Sequence, residues 1–409
     1  MAQALESRTD LTDLGAAHPA LADEFGYLCR QLDSEHPDEE RQVLAGRLAA
    51  LTARIRSTPG FNRFLLPPTV TQLTAEARSG PVVLVNVSQY RCDALILTES
   101  GVAIQPLPKL ELPAVHERLG ELRAAIDAMG DPGGQQAMRD VLAWLWDTIT
   151  RPILGELDPV VSRLWWVPCG PLAYFPLHAT VLDRVASSYT PTIRALAHAR
   201  ARQISRTESR TTPAVLAVGM SRTPEGTDLP GARKETELLG RLLPGTSELV
   251  NEDATHDAVL SRLAASEWAH FACHAASDPV DPGESRLLVH DHADKPLRVV
   301  EISRLNLSKP EFAFLSACST ATTSLDLVNE SIHIASAFQL AGYPHVIGTL
   351  WEISDTIATK IATHIYTELA ACHFDIRNVA TGLHEAIRMV RDRYPQMPTL
   401  WAAHIHVGP

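Results

Sequence analysis

Trp268-Ala-His-Phe-Ala-Cys-His274 and Phe312-Ala-Phe-Leu-Ser-Ala-Cys318 are two short apolar runs, each closing on a residue suited to nucleophilic chemistry. His274 and Cys318 stand 44 residues apart. A thiol is mostly protonated at neutral pH, so an imidazole must take its proton or stabilise the thiolate before the sulfur can attack a carbonyl. The two groups must therefore meet in space. Small polar residues follow each run, Ala275-Ala-Ser-Asp278 and Ser319-Thr-Ala-Thr322, as expected where a buried strand reaches the rim of a sheet. In parallel α/β sheets, functional groups gather at the carboxyl ends of strands, so neighbouring strands would bring both residues to one rim.

The surrounding sequence reads as such a sheet. Ala214–Val218 is a strand, 232–243 a helix, 247–250 a strand and 255–265 a helix, ahead of the two quoted runs. His345–Trp351 is a further strand, helices follow at 355–370 and 376–392, and 400–407 closes the sheet and takes in His404 and His406. This alternation predicts a mostly parallel sheet with helices on both faces. Along a strand, residues 270, 272 and 274 face one way and 271 and 273 the other. Cys273 is thus read as a small buried hydrophobe, and Cys318 as the only cysteine that ends an apolar strand and precedes small polar residues.

Upstream, the pattern changes twice. Residues 1–65 are polar and helix-favouring, with Leu44, Leu48, Leu51 and Ile55 at helical spacing and Pro59-Gly60 as a stop. This helix is either a docking element or packed on its own protein; no repeat of 34 residues is visible. Val82–Val87, Asp93–Leu97 and Val102–Ile104 read as an antiparallel meander. Helices at 112–129 and 135–155 come next, the second with Trp144 and Trp146 on different faces, and 164–180 supplies a strand and a turn.

Composition narrows the function classes. The 409 residues carry a net charge of −12, which offers no global reason to expect nucleic-acid binding. Six cysteines without C-x-x-C pairs suit a reducing cytoplasm, and neither a signal peptide nor a membrane-spanning run is apparent. The chain has no glycine-rich nucleotide fingerprint, no P-loop and no G-x-S-x-G elbow. His270, Cys273, His274, His290 and His292 are possible zinc ligands, but their spacing fits no standard site, and His290 and His292 read as surface residues. No metal and no cofactor are expected.

His270-Phe-Ala-Cys-His274, Leu315-Ser-Ala-Cys318 and Leu350-Trp-Glu-Ile-Ser-Asp355 together resemble the CHAT domain, a caspase-like module related to separases and often fused to tetratricopeptide repeats. Gly80-Pro-Val-Val-Leu-Val-Asn86, Val167-Pro-Cys-Gly-Pro-Leu172, Leu229-Pro-Gly-Ala232 and Trp401-Ala-Ala-His-Ile-His-Val-Gly408 agree with it, so the resemblance spans roughly 66–409. A His some 50 residues before the Cys is also the caspase order. The resemblance implies a caspase-like α/β fold, a mostly parallel sheet flanked by helices. A small β-meander and helical region (66–210, resembling a pseudo-protease half) and an N-terminal helical segment (1–65) would precede the catalytic half (211–409).

The implied activity is that of a cysteine endopeptidase, with His274 and Cys318 as the catalytic dyad and the backbone amides of Ala275 and Cys318 as oxyanion donors. Ala275 departs from the Gly that family members usually carry, and Ser319 from an acidic residue. A position needing φ > 0 would be strained by Ala275. By resemblance to separases, Glu352 and Asp355 are candidates for a pocket that holds a basic side chain, with Asp278 and Glu330 as further candidates. Asp355 also reads as a cap on a helix starting at Thr356. A protein substrate and a regulatory protein partner are implied; the alternative is a caspase-fold scaffold without catalysis.

Overall fold

The computed structural model describes residues 11, 14–15, 17–32, 37–204, 212–276, 278, 281–305, 307–320 and 334–409. The described residues fall into two units, one up to Gln72 and the other from Leu73 to Pro409. In the first, helices α1 (Pro19–Leu32) and α2 (Asp38–Arg56) share an apolar cluster of Leu14, Phe25, Leu28, Leu51, Ile55 and Phe64. Leu44 and Leu48 pack half-buried against it, as the helical spacing of these residues predicts. The stop is where the sequence puts it, with Gly60 at φ 88°.

The second unit is built on one sheet of thirteen strands among the described residues. Its strands are β1 (Val82–Asn86), β2 (Asp93–Thr98), β3 (Gly101–Pro106), β4 (Arg163–Pro168), β5 (Ala186–Tyr189), β6 (Val215–Gly219) and β7 (Ser247–Val250). Then come β8 (Trp268–Ala276), β9 (Arg286–Leu288), β10 (Leu297–Arg298), β11 (Phe312–Thr320), β12 (His345–Thr349) and β13 (His404–Val407). The order is β10-β9-β8-β11-β12-β13-β5-β4-β1-β2-β3, with β6 also on β8 and β7 on β6. The meander β1-β2-β3 is antiparallel and the central β6, β8, β11 and β12 run parallel, as the two sequence patterns predict.

Two features lie outside the sequence reading. The meander and the α/β block are continuous: β13 pairs antiparallel with β12 and touches β5 at Val407–Tyr189, and β5 pairs parallel with β4. The linking strand β5 is Ala-Ser-Ser-Tyr, too short and too polar to announce itself by alternation. In addition, β8 and β11 continue two residues past His274 and Cys318, to Ala276 and Thr320, so these two positions lie inside the ladder rather than at its end.

The principal helices of this unit are α3 (Leu112–Asp127), α4 (Pro132–Leu145), α5 (Ile193–Ile204), α6 (Pro230–Leu242), α7 (His256–Leu263), α8 (Val299–Arg304), α9 (Ile334–Ala341), α10 (Asp355–Ala371) and α11 (Val379–Arg393). Over 135–155, where the sequence suggests one helix, the chain is helical throughout: α4 passes through a π-helical turn at Trp146–Thr150 into a last helical stretch, Arg151–Glu156. Trp144 and Trp146 are both half-buried against the core. Ring contacts show helices on both faces of the sheet. His270 and Phe314 meet Tyr366 of α10 on one face, at 5.5 and 5.8 Å between ring centres, whereas Phe271 meets Phe338 of α9 on the other, at 5.4 Å. Among the described residues no helix is long and apolar enough to cross a membrane.

Candidate active site

β8 and β11 are paired in parallel from Trp268–Phe312 through Ala276–Thr320, and in that register Cys318 stands directly across from His274. Two nine-residue strands in one register thus place the two positions side by side. On the other edge of β8 the partner changes: Trp268–Ala272 pair with β6, whereas His274–Ala276 pair with β9. β6 ends at Gly219, opposite Ala272, so the chain leaves the sheet beside His274. Close packing on α6 allows no side chain at Gly219, because a Cβ would strike the Thr236 methyl group.

The departing loop returns over the imidazole. His274 Nε2 lies 2.8 Å from the Thr227 carbonyl oxygen and 3.3 Å from Thr227 Oγ1. A carbonyl can only accept, so Nε2 carries the proton, and Nδ1 is the nitrogen that holds the lone pair in the neutral tautomer. A backbone atom thus orients the ring; the sequence identified no such group. Gly226 lies close to the same ring, where a Cβ would come within 3.4 Å of His274 Cδ2.

Further down β8 and β11 from His274 and Cys318, the same sheet face carries a buried polar cluster. His270 is fully buried, with Nε2 3.0 Å from Glu235 Oε2 and Nδ1 3.1 Å from the Tyr366 hydroxyl. Ser316 Oγ and Thr359 Oγ1 donate to Glu235 Oε1 at 3.4 and 3.3 Å. Burial, and then the Glu235 charge, hold the Tyr366 phenol well above its ordinary pKa, so it stays a neutral hydroxyl. The cluster ties β8 and β11 to α6 and α10. Glu235 was missed, although a signal existed: it shares the buried face of α6 with Ala232, Thr236 and Leu239 at helical spacing.

The remaining predicted residues have definite places. Cys273 is fully buried on the opposite parity, as the alternation predicts. Ala275 is extended and buried inside the ladder, between Ser319 and Leu287, and is not among the residues with positive φ, so the anticipated strain does not arise. Glu352 is exposed. Asp355 differs from the expected cap: α10 begins at Asp355 with Ser354 as its N-cap, and Asp355 Oδ2 instead accepts from the Gly231 N–H at 2.7 Å, at the start of α6. Gly231 is required there, because a Cβ would run into the Asp355 carboxylate and the Thr359 hydroxyl. Asp278 receives the Asp281 N–H at 2.8 Å in a turn after β8. Glu330 lies outside the described residues. His290 and His292, read as surface residues, are both half-buried.

A parallel α/β sheet covered by helices, with His and Cys in register on adjacent central strands, defines a caspase-like architecture. The CHAT domain model matches residues 139–409, and the chain belongs to the CHAT domain family. No curated protein matches the chain. Among solved structures, Saccharomyces cerevisiae separase in complex with securin is similar in fold in two crystal structures. One has a TM-score of 0.59 at 12% identity over 92% of this chain, and the other 0.60 at 11% identity over 99%. In both, the match covers 34% of the separase chain, so this chain spans about a third of it. The Arg-specific cysteine proteinase gingipain R also matches, with a TM-score of 0.43 at 10% identity over 67% of each chain.

Proposed function

We propose that this chain is a regulated cysteine endopeptidase in which Cys318 attacks a peptide carbonyl and His274 serves as its base. The observation that carries the reading is the register of Cys318 opposite His274, together with the Thr227 carbonyl on Nε2. Nδ1 takes the thiol proton, the thiolate forms a tetrahedral adduct, and Nδ1 returns the proton to the leaving amine; water then hydrolyses the acyl-enzyme. The Thr227 carbonyl stays hydrogen-bonded to Nε2–H throughout and so favours the imidazolium. The Cys318 amide is the first oxyanion donor of this reading, and the Ala275 amide joins it if the end of β8 parts from its neighbours as substrate binds.

Specificity for a basic residue before the scissile bond is part of the proposal. Of the acidic candidates described, Glu352 is exposed whereas Asp355 already receives the Gly231 amide, so Glu352 is assigned the ion pair with substrate. Unrestrained proteolysis harms a cell, which supports control by a protein partner. A thiol nucleophile also persists best in a reducing compartment such as the cytoplasm. The decisive test is labelling and cleavage by single-cysteine variants. Cys318→Ala is expected to abolish both peptide cleavage and labelling by a peptide-like electrophile, and Cys273→Ala to leave both intact. Labelling that survives Cys318→Ala would overturn the assignment, and binding of partners without any cleavage would favour a scaffold.

A further inference from the structure

The loop Ser221–Leu229 that delivers the Thr227 carbonyl is held by side chains from three other segments. Asn251, just past β7, accepts from the Arg222 N–H at 3.0 Å and from Ser221 Oγ at 3.1 Å through Oδ1. Asp355 holds Gly231 at the far end. Between these anchors His292 Nε2 donates to the Pro224 carbonyl at 3.1 Å. Within the loop, Gly226 N–H donates to Thr223 O and Leu229 N–H to Ser221 O, both at 3.0 Å, and Glu225 adopts φ 60°. A left-handed glutamate costs free energy and persists only where its surroundings impose it.

His292 itself sits on a fixed base. Its turn follows β9 and is tied down by His290 N–H to Ala254 O at 2.9 Å, His256 N–H to Asp291 Oδ1 at 2.8 Å and Lys295 N–H to Asp291 O at 2.8 Å. β9 is also the strand that pairs with His274, through Leu288. The contacts therefore close a circuit: His274 to Thr227, three residues of loop to Pro224, then His292 and its turn back to Leu288, which faces His274.

We infer that His292 is a positioning residue for His274. By holding the Pro224 carbonyl it keeps the Thr227 carbonyl on Nε2, which fixes the ring orientation and leaves Nδ1 as the base. The inference rests on the thiol–imidazole reading above.

The test measures iodoacetamide alkylation of Cys318 in the full chain as a function of pH, by peptide mass mapping so that the other cysteines are separated, with melting temperature recorded for each variant. The wild type is expected to show a thiolate profile shifted to acid relative to His274→Ala. His292→Phe, which keeps volume but cannot donate, is expected to slow alkylation near neutral pH by roughly 10- to 100-fold with its melting temperature kept. His292→Gln, whose amide can still donate to the carbonyl, is expected to restore most of the rate. If the Phe variant does not fold, His292→Asn, too short to reach, takes its place against Gln. An unchanged profile in the non-donating variant, or equal losses in donor and non-donor variants, overturns the positioning role. A wild-type profile identical to that of His274→Ala overturns the dyad itself, and this inference with it.

Discussion

At His274 a single hydrogen bond decides which nitrogen can work. With Nε2–H committed to the Thr227 carbonyl, Nδ1 is the nitrogen left to accept a proton, and in the proposed mechanism loss of the ring removes general-base help that commonly contributes about 10² to 10⁴-fold. His274→Ala is therefore expected to lower kcat by that order without changing the circular dichroism spectrum, because the ring is only half-buried against a loop. At the acidic candidates, Glu352→Gln is expected to reduce the preference for Arg or Lys before the scissile bond. Asp355→Asn is expected to keep it, since an amide oxygen can still accept from Gly231. A peptide library profiled on both variants decides this, and the opposite ranking would assign the pocket to Asp355. His274 and Cys318 were legible as candidates because residue chemistry and the ends of two apolar runs point to them, and the register places them opposite one another. The orienting group was not, because it is a backbone carbonyl that any residue type supplies.

At the scale of elements, Glu235 joins two strands and two helices in one buried cluster. Glu235→Ala would leave His270, Ser316 and Thr359 beside a buried void with the carboxylate gone, a loss of about 1–3 kcal/mol. Urea unfolding of the variant checks this, and a loss below about 1 kcal/mol would mean that the cluster contributes little beyond packing. Helix and strand positions were largely readable from periodicity, as β7 and α2 show. Elements such as β5 and α8 were not, because a short polar strand or a single turn and a half of helix buries too little to leave a period in the sequence.

Across the whole molecule, five histidines gather where the two halves of the sheet join. His345 Nδ1 meets His406 Nε2 at 3.0 Å, His406 Nδ1 meets Ser188 Oγ at 2.7 Å, and Arg163 Nη2 donates to the same Ser188 Oγ at 2.9 Å. The ladder thus crosses β12, β13, β5 and β4. Nearby, His178, His384 and His404 line a small cavity, where both ring nitrogens of His404 are buried without a hydrogen-bond partner among the described residues. Burial pushes His178, His345 and His404 down to about 3 and His384 to about 4, and takes His406 well below its ordinary value. Arg163 adds to the depression at His345, His384 and His406, and Arg388 and Arg391 at His384, against the opposing charges of Asp375 near His345 and Asp183 near His384.

These rings stay neutral in the folded state until the pH nears their depressed values, whereas the unfolded chain binds protons below about pH 6.5, so their contribution is present above about pH 6.5 and is lost as pH falls toward about 3. The urea midpoint is expected to drop steeply over that window, by more than a single titrating group allows. His404→Leu, which removes an unpartnered buried imidazole, is expected to flatten the drop; an unchanged slope would place the acid sensitivity elsewhere.

Local pattern was enough to determine the α/β class and the position of most strands and helices, and to single out His274 and Cys318 as a candidate pair, because each depends on periodicity or on a side chain's own chemistry within one short run. Tertiary structure alone decided the rest. The Thr227 carbonyl over His274, Asp355 on the start of a distant helix, and the histidine seam between β13 and β5 all depend on which segments fold back upon one another, and no local period records that.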